Sequence, residues 1–235
     1  MDSNSKFAVV TGSSRGVGLV IAEYLLATGY TVYGMSRSAS PIQNERFVQV
    51  LTDFSEPDFI SDAFEFVRKS TRIIDVLINN AAVLTSQYLM IMPVEAARAM
   101  IETNLLAPIL VTKEALRFMR KSQNGRIVNI SSMSPRIKAP GDSVYAATKA
   151  GLENFSEVTA REVSAYGITS NTIAISAFDS DMFRSLNQEV VGQVIKSLVQ
   201  PRMLSPHDIT NVIEFLISDE SSAITAQTIH LGGVS

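Results

Sequence analysis

Four apolar residues, Phe7-Ala8-Val9-Val10, run directly into Thr11-Gly12, and past this turn Val17, Val20, Ile21, Tyr24 and Leu25 recur at helical spacing. A strand that passes into a helix through so short a turn must lay the helix back on a sheet. The same alternation continues along the chain. Further strands are expected at 31–35, 47–51, 75–80, 126–131, 168–175 and 228–231. Helices are expected at 57–70, where Pro57 suits a first turn, and at 144–166, 181–199 and 206–218. The stretch 94–123 reads as two helices, with Asn104 near the start of the second and Asn124-Gly125 as its left-handed stop. Residues 132–143 read as a polar loop. Strands and helices in strict alternation call for an α/β fold, a mostly parallel sheet with helices on both faces. No linker divides the chain, so residues 1–235 are read as one domain.

Composition removes several function classes. There is no Cys and there are only two His, His207 and His230, which excludes thiolate chemistry and argues against any metal site. A net charge of -3 argues against a nucleic-acid partner. The polar stretch Met1–Lys6 lacks the apolar core of a secretory signal, and no apolar run approaches the length of about 18 residues that a membrane span needs. The expectation is a cytoplasmic protein with no membrane partner.

The segment Thr11-Gly12-Ser13-Ser14-Arg15-Gly16-Val17-Gly18 occupies the first strand-to-helix turn. Glycines there let the backbone turn sharply and approach a pyrophosphate, whose charge is met by amide donors at the helix N-terminus. Dinucleotide binding on a Rossmann-type, doubly wound sheet is the reading. The second strand ends Gly34-Met35-Ser36-Arg37, with no carboxylate to bind a free ribose 2′-hydroxyl. Arg37, with Arg15 on the other side, suits a 2′-phosphate, so the expected cofactor is NADP(H).

Tyr145 and Lys149 stand four residues apart on one expected helix, hence on one face. An ammonium beside a phenol favours the phenolate, which makes Tyr145 a candidate proton donor to a carbonyl oxygen. Ser132, just past a strand end, can donate to the same oxygen.

These residues, with Asn79-Asn80-Ala81-Ala82 after the fourth strand and Asn104 within Ile101-Glu102-Thr103-Asn104-Leu105, resemble the short-chain dehydrogenase/reductase family over essentially the full length. Within it the chain most resembles 3-oxoacyl-(acyl-carrier-protein) reductases. The resemblance implies Tyr145 as acid/base, Ser132 as holder of the substrate oxygen, Lys149 as ligand of the nicotinamide ribose, and Asn104 as anchor of a proton-supplying water chain. It also implies cofactor contacts from Gly12, Ser13, Ser14, Arg15, Gly16, Val17, Gly18, Arg37, Asp53, Phe54, Asn80, Ala81, Tyr145, Lys149 and Phe178. The alternative for Asp53 is a turn cap and for Asn104 a helix cap.

The implied function is reduction of a ketone by NADPH, the substrate a 3-oxoacyl thioester on acyl carrier protein, and the implied assembly a homotetramer. A small ketone, sugar or specialised metabolite is the alternative substrate, and a catalytically silent dinucleotide sensor is the alternative from another class. The chain departs from the family at Ala82, where Gly is usual, and at Ile175-Ser176, where Pro-Gly is usual. Arg residues that such reductases carry near Gln123 and Tyr166 are missing, leaving Arg117, Arg120 and Lys121 as the nearest basic group.

Overall fold

The computed structural model describes residues 6–122, 124–184, 186 and 188–233. Gln123, the expected end of a helical stretch, and Met1–Ser5 of the polar N-terminal stretch lie outside them. Seven strands form one sheet: β1 (Phe7–Thr11), β2 (Thr31–Ser36), β3 (Phe47–Leu51), β4 (Val76–Asn79), β5 (Arg126–Ser132), β6 (Thr169–Ile175) and β7 (Thr228–His230). Their order is β3-β2-β1-β4-β5-β6-β7 and every neighbouring pair is parallel, so the Rossmann-type, doubly wound α/β sheet is as expected.

The strand order reverses between β1 and β4, which opens a crevice beyond their C-terminal ends. Alternation along each strand supplies a core on both faces. On β1, Ala8 and Val10 pack with Ile21 and Leu25 of α1 (Gly16–Ala27) and Ile213 of α9 (Pro206–Ile217). Val9 points the other way, into a cluster with Phe64 of α2 (Pro57–Ser70) and Val111, Ala115 and Phe118 of α4 (Ala107–Met119). With both faces covered, the ends of the strands are what remains to carry a ligand site.

Between 94 and 119 the two expected helices are both present, joined without a break. α3 (Val94–Ile101) runs through a single widened π turn, Glu102–Leu106, straight into α4, and Asn104 sits inside that turn. Gly125 is not a left-handed stop, since it is not among the positive-φ glycines. A Cβ there would lie 2.9 Å from Met119 Cε and 3.0 Å from Ile168 Cγ1, so close packing requires this glycine. The polar loop after β5 contains a one-turn helix, α5 (Ser134–Ile137), and the helical stretch after β6 is divided into α7 (Asp181–Arg184) and α8 (Gln188–Ser197). The long helix α6 (Ser143–Val163) continues as a 3₁₀ turn to Tyr166 and stops at Gly167, whose φ of 68° is left-handed.

Candidate active site

At the crevice, Gly12 and Gly16 adopt left-handed φ values of 70° and 57°. The peptide N–H of Gly12 donates to the Met35 carbonyl at 2.7 Å, tying the turn to β2. Asn80 Nδ2 donates to the carbonyls of Thr11 (2.9 Å) and Gly12 (3.3 Å), while Thr11 Oγ1 accepts from the Asn80 and Ala81 peptides. The turns after β1 and β4 therefore hold each other. Gly18 does not face the crevice. A Cβ on it would lie 2.2 Å from the Gly12 carbonyl oxygen, so its role is to let α1 close against the turn.

These turns line one end of a cleft of about 830 Å³. Of the residues the sequence singles out for the cofactor, Gly12, Ser14, Arg15, Gly16, Val17, Arg37, Phe54, Asn80, Ala81, Tyr145, Lys149 and Phe178 face it. Ser13 does not. It is fully buried against Gly34, and its carbonyl accepts from Ser40 Oγ. Asp53 also lies off the cleft, in the turn it was alternatively read to cap: its Oδ1 accepts from Ser55 N (3.0 Å) and Ser55 Oγ (2.8 Å). Those two bonds, with Arg37 adding, hold its carboxyl below the ordinary range. Arg15 reaches Asp181 at 3.6 Å, both side chains being exposed.

Further along the cleft, the end of β5 and the first turns of α6 bring Ser132, Tyr145 and Lys149 together. Tyr145 and Ser132 both face the cleft here. Burial pushes the phenol up to about 12, the Ser132 hydroxyl opposes this, and the Asp142 carboxylate adds to it. Lys149 stands beside the phenol. Its Nζ donates to the Ile130 carbonyl at 2.9 Å and stands 5.8 Å from the centroid of the Tyr145 ring. The lysine is itself buried, which pulls it down to about 8 against the opposing influence of Glu153.

Asn104 is fully buried and its amide is spent on structure. Oδ1 accepts from Val83 N and Nδ2 donates to Val83 O, both at 2.8 Å, with a further contact to Thr148 Oγ1 at 3.3 Å. It is not a helix cap. The π turn places the amide where it clamps the Val83 peptide beside the cleft, and Thr103 is the π-turn residue that faces the cleft itself. Single π turns of this kind often mark functional sites.

The family model for short chain dehydrogenase matches residues 6–191. The chain belongs to this family. It is 35% identical over 245 aligned residues to the 3-oxoacyl-(acyl-carrier-protein) reductase of Escherichia coli, covering 99% of this chain and 98% of that one. The enzyme of the same description from Staphylococcus aureus is 33% identical, with 97% of each chain covered. Among solved structures, ligand-free Thermoplasma acidophilum aldohexose dehydrogenase superposes with a TM-score of 0.89 over 98% of this chain and 94% of that one, at 24% identity. A variant of actinorhodin polyketide ketoreductase with NADPH gives 0.87 over 98% and 97%, also at 24% identity. At that identity the two structures establish the shared fold.

In this short-chain dehydrogenase the far end of the cleft is walled by residues without a sequence signature. Met182, Phe183, Leu186, Val191, Val194 and Ile195 supply an apolar side. Opposite them, Ser134 Oγ donates to Asp142 Oδ2 at 3.1 Å, and the Ser134 peptide donates to Ser132 Oγ at 3.1 Å. Neither Ser134 nor Asp142 is recognisable from the sequence, because their meeting depends on α5 folding back onto the start of α6. Ser176, in place of the usual glycine, buries its Oγ where a Cβ on Gly232 would come within 2.4 Å. Away from the cleft, Arg117 is paired with Glu114 and Arg120 lies over the Tyr166 ring. No cluster of metal-ligating side chains occurs among the described residues, nor is any described helix long and apolar enough to cross a membrane.

Proposed function

We propose that this oxidoreductase uses NADPH to reduce a ketone to a secondary alcohol, and that its substrate is a 3-oxoacyl thioester carried on acyl carrier protein. The observation that carries this reading is the convergence of Ser132, Tyr145 and Lys149 on the cleft that also exposes the Gly12–Val17 turn. The relatives that match across nearly the whole chain support the substrate class.

The residues present fit a phosphorylated dinucleotide. A Cβ at Gly12 would lie 2.8 Å from Asn80 Nδ2, so bare backbone is required at the turn that would meet the pyrophosphate. Arg37 faces the cleft at the end of β2, where no carboxylate of that strand opposes a 2′-phosphate. Ser14, Arg15, Gly16, Val17, Asn80 and Ala81 would hold the rest, with Phe54 toward the adenine and Phe178 toward the nicotinamide end. Asp53 and Ser13 would act from behind, by shaping the turns. When bound, NADPH supplies a hydride to the carbonyl carbon.

The protein supplies the proton and the geometry. Ser132 donates a hydrogen bond to the substrate oxygen, and Tyr145 gives that oxygen its proton. Burial keeps the phenol protonated at working pH, and the ammonium of Lys149 beside it favours release of that proton to the substrate oxygen. Lys149 binds the nicotinamide ribose and steadies the phenolate left behind, while Asn104 supports the route by which the proton returns by clamping the Val83 peptide beside the cleft. One domain carries both halves of the reaction. In the cytoplasm it would work as a homotetramer, with the exposed Ile101, Leu106 and Val158 of the α3–α4 rod and α6 as apolar surface to cover.

One observation favours a second substrate class. The Ser134–Asp142 pair sets a carboxylate within one hydroxyl of Ser132, which suits a small ketone or sugar that carries its own hydroxyl donors. Following NADPH absorbance with acetoacetyl-carrier protein, free acetoacetyl thioesters, simple ketones and hydroxyketones separates the two. Fastest turnover of the carrier-bound thioester is expected. Preference for hydroxyketones would establish the second reading, and saturable NADPH binding with no turnover of any carbonyl would point to a sensor.

A further inference from the structure

Lys149 poses a problem that the residues assigned so far do not solve. Its side chain is 2% exposed, and an ammonium so far from water loses its proton unless an opposing charge stands close by. Ile130 offers it one neutral carbonyl. Tyr145, four residues before it, presents a ring and a phenol, and the Asp142 carboxylate at the start of α6 is bonded by Ser134 Oγ. From β5 come the hydroxyls of Ser131 and Ser132, and the π turn contributes Asn104, which bonds Thr148.

The remaining group is Glu153, one helical turn beyond Lys149 on α6. Ser131 Oγ donates to Glu153 Oε1 at 2.6 Å, a length typical of a hydroxyl bonded to a charged carboxylate. The same hydroxyl lies 3.5 Å from the Lys149 carbonyl. The carboxylate is thus fastened to the strand residue that precedes Ser132 and is kept from swinging out to solvent.

We infer that Glu153, anchored by Ser131, is a positioning residue that keeps Lys149 charged and in place beside Tyr145. This rests on the proposed role of Lys149 and adds to it a group that does not touch substrate or cofactor. Two things follow from the geometry. Loss of the carboxylate lets Lys149 discharge at lower pH, and loss of the Ser131 hydroxyl loosens the carboxylate without removing its charge. Burial already draws Lys149 down to about 8, where a further fall would enter the working range.

The experiment titrates Lys149 directly, in cofactor-free protein labelled with ¹³C-lysine, with its Cε resonance assigned by its absence from Lys149→Met. The midpoint in Glu153→Gln is expected to fall by about 0.5 to 1 pH unit. The alkaline limb of kcat/KM should move by the same amount, cutting activity about 3- to 10-fold near pH 9 with little change near pH 6. Ser131→Ala should shift both in the same direction by less, and Glu153→Asp should restore part of the loss. A Glu153→Gln midpoint within about 0.2 unit of wild type would overturn the inference. Should Glu153→Gln fail to fold, an unshifted Ser131→Ala would do so instead. A Lys149→Met variant that kept full activity would sink the proposed role of the lysine, yet the resonance titration would still decide whether Glu153 sets its charge.

Discussion

Along the half of the cleft proposed for the cofactor the walls are main chain pinned to the sheet, while along the half proposed for the substrate they are largely side chains of α7 and α8. Gly12 is tied to β2 through Met35, and Asn80 fastens the turn after β4 to the turn after β1. The segments that carry α7 and α8 are joined to the sheet side through main-chain bonds on either flank, and Asp181 of α7 meets Arg15 of the Gly-rich turn. Leu204 N donates to the Ala177 carbonyl at 2.7 Å, and Gln200 N donates to that of Gly232 at 3.0 Å. Between these points α7 and α8 present Met182, Phe183, Val194 and Ile195 to the cleft. The contrast separates two tasks: a fixed backbone can serve one invariant cofactor, and an apolar flap of side chains can be reshaped for different substrates at little cost to the fold.

The sharpest break would come where the two halves meet. Tyr145→Phe should leave the fold and NADPH binding intact, since the ring fills the same space, and should lower kcat by at least about 100-fold. Steady-state kinetics beside thermal unfolding would check this, and a variant with more than half of wild-type turnover would place the proton donor elsewhere.

Next in size is a glycine in the rigid half. Gly18→Ala drives a Cβ into the Gly12 carbonyl, and overpacking of this kind costs about 1–3 kcal/mol. For a chain of this length that is a fall in Tm of roughly 2–4 °C per kcal/mol, accompanied by weaker NADPH binding. An unchanged Tm would mean that the turn yields and is not pinned as described.

A charge substitution at the rim of the same half should act on selectivity alone. Arg37→Ala is expected to reduce the preference for NADPH over NADH by about 10-fold, the equivalent of about 1.4 kcal/mol, with kcat little changed. The ratio of kcat/KM for the two cofactors is the readout, and undiminished selectivity would remove Arg37 from the 2′-phosphate site.

The smallest effect, and one of opposite sign, belongs to the flap. Gly192 lies inside α8, a Cβ added to it would meet nothing within 4 Å, and its φ is not left-handed. Gly192→Ala should therefore stabilise by about 0.5–1 kcal/mol through helix propensity, read as a rise in the midpoint of thermal unfolding. A loss of stability there would show that α8 is as tightly built as the Gly-rich turn, and the contrast between the halves would fail.

What was legible in the sequence follows the same division. The parallel α/β sheet, the Gly12–Gly18 turn and the Tyr145–Lys149 pair were determined by the sequence alone, because each depends on interactions within a few residues. Strand alternation, helical periodicity, left-handed glycines and an i, i+4 pair are all local. Tertiary structure decided the rest. Asn104 reads as the start of a helix, yet it clamps Val83, 21 residues away, from inside a π turn. Ser13 and Asp53 read as cofactor contacts, yet burial beneath Gly34 and a local bond to Ser55 turn them from the cleft. Glu153 carries no signature in the sequence, but Ser131 reaches it across 22 residues and holds it one helical turn from the lysine. The charge state of Lys149 was likewise beyond the sequence, since it is set by how much water the folded chain excludes, and only packing determines that.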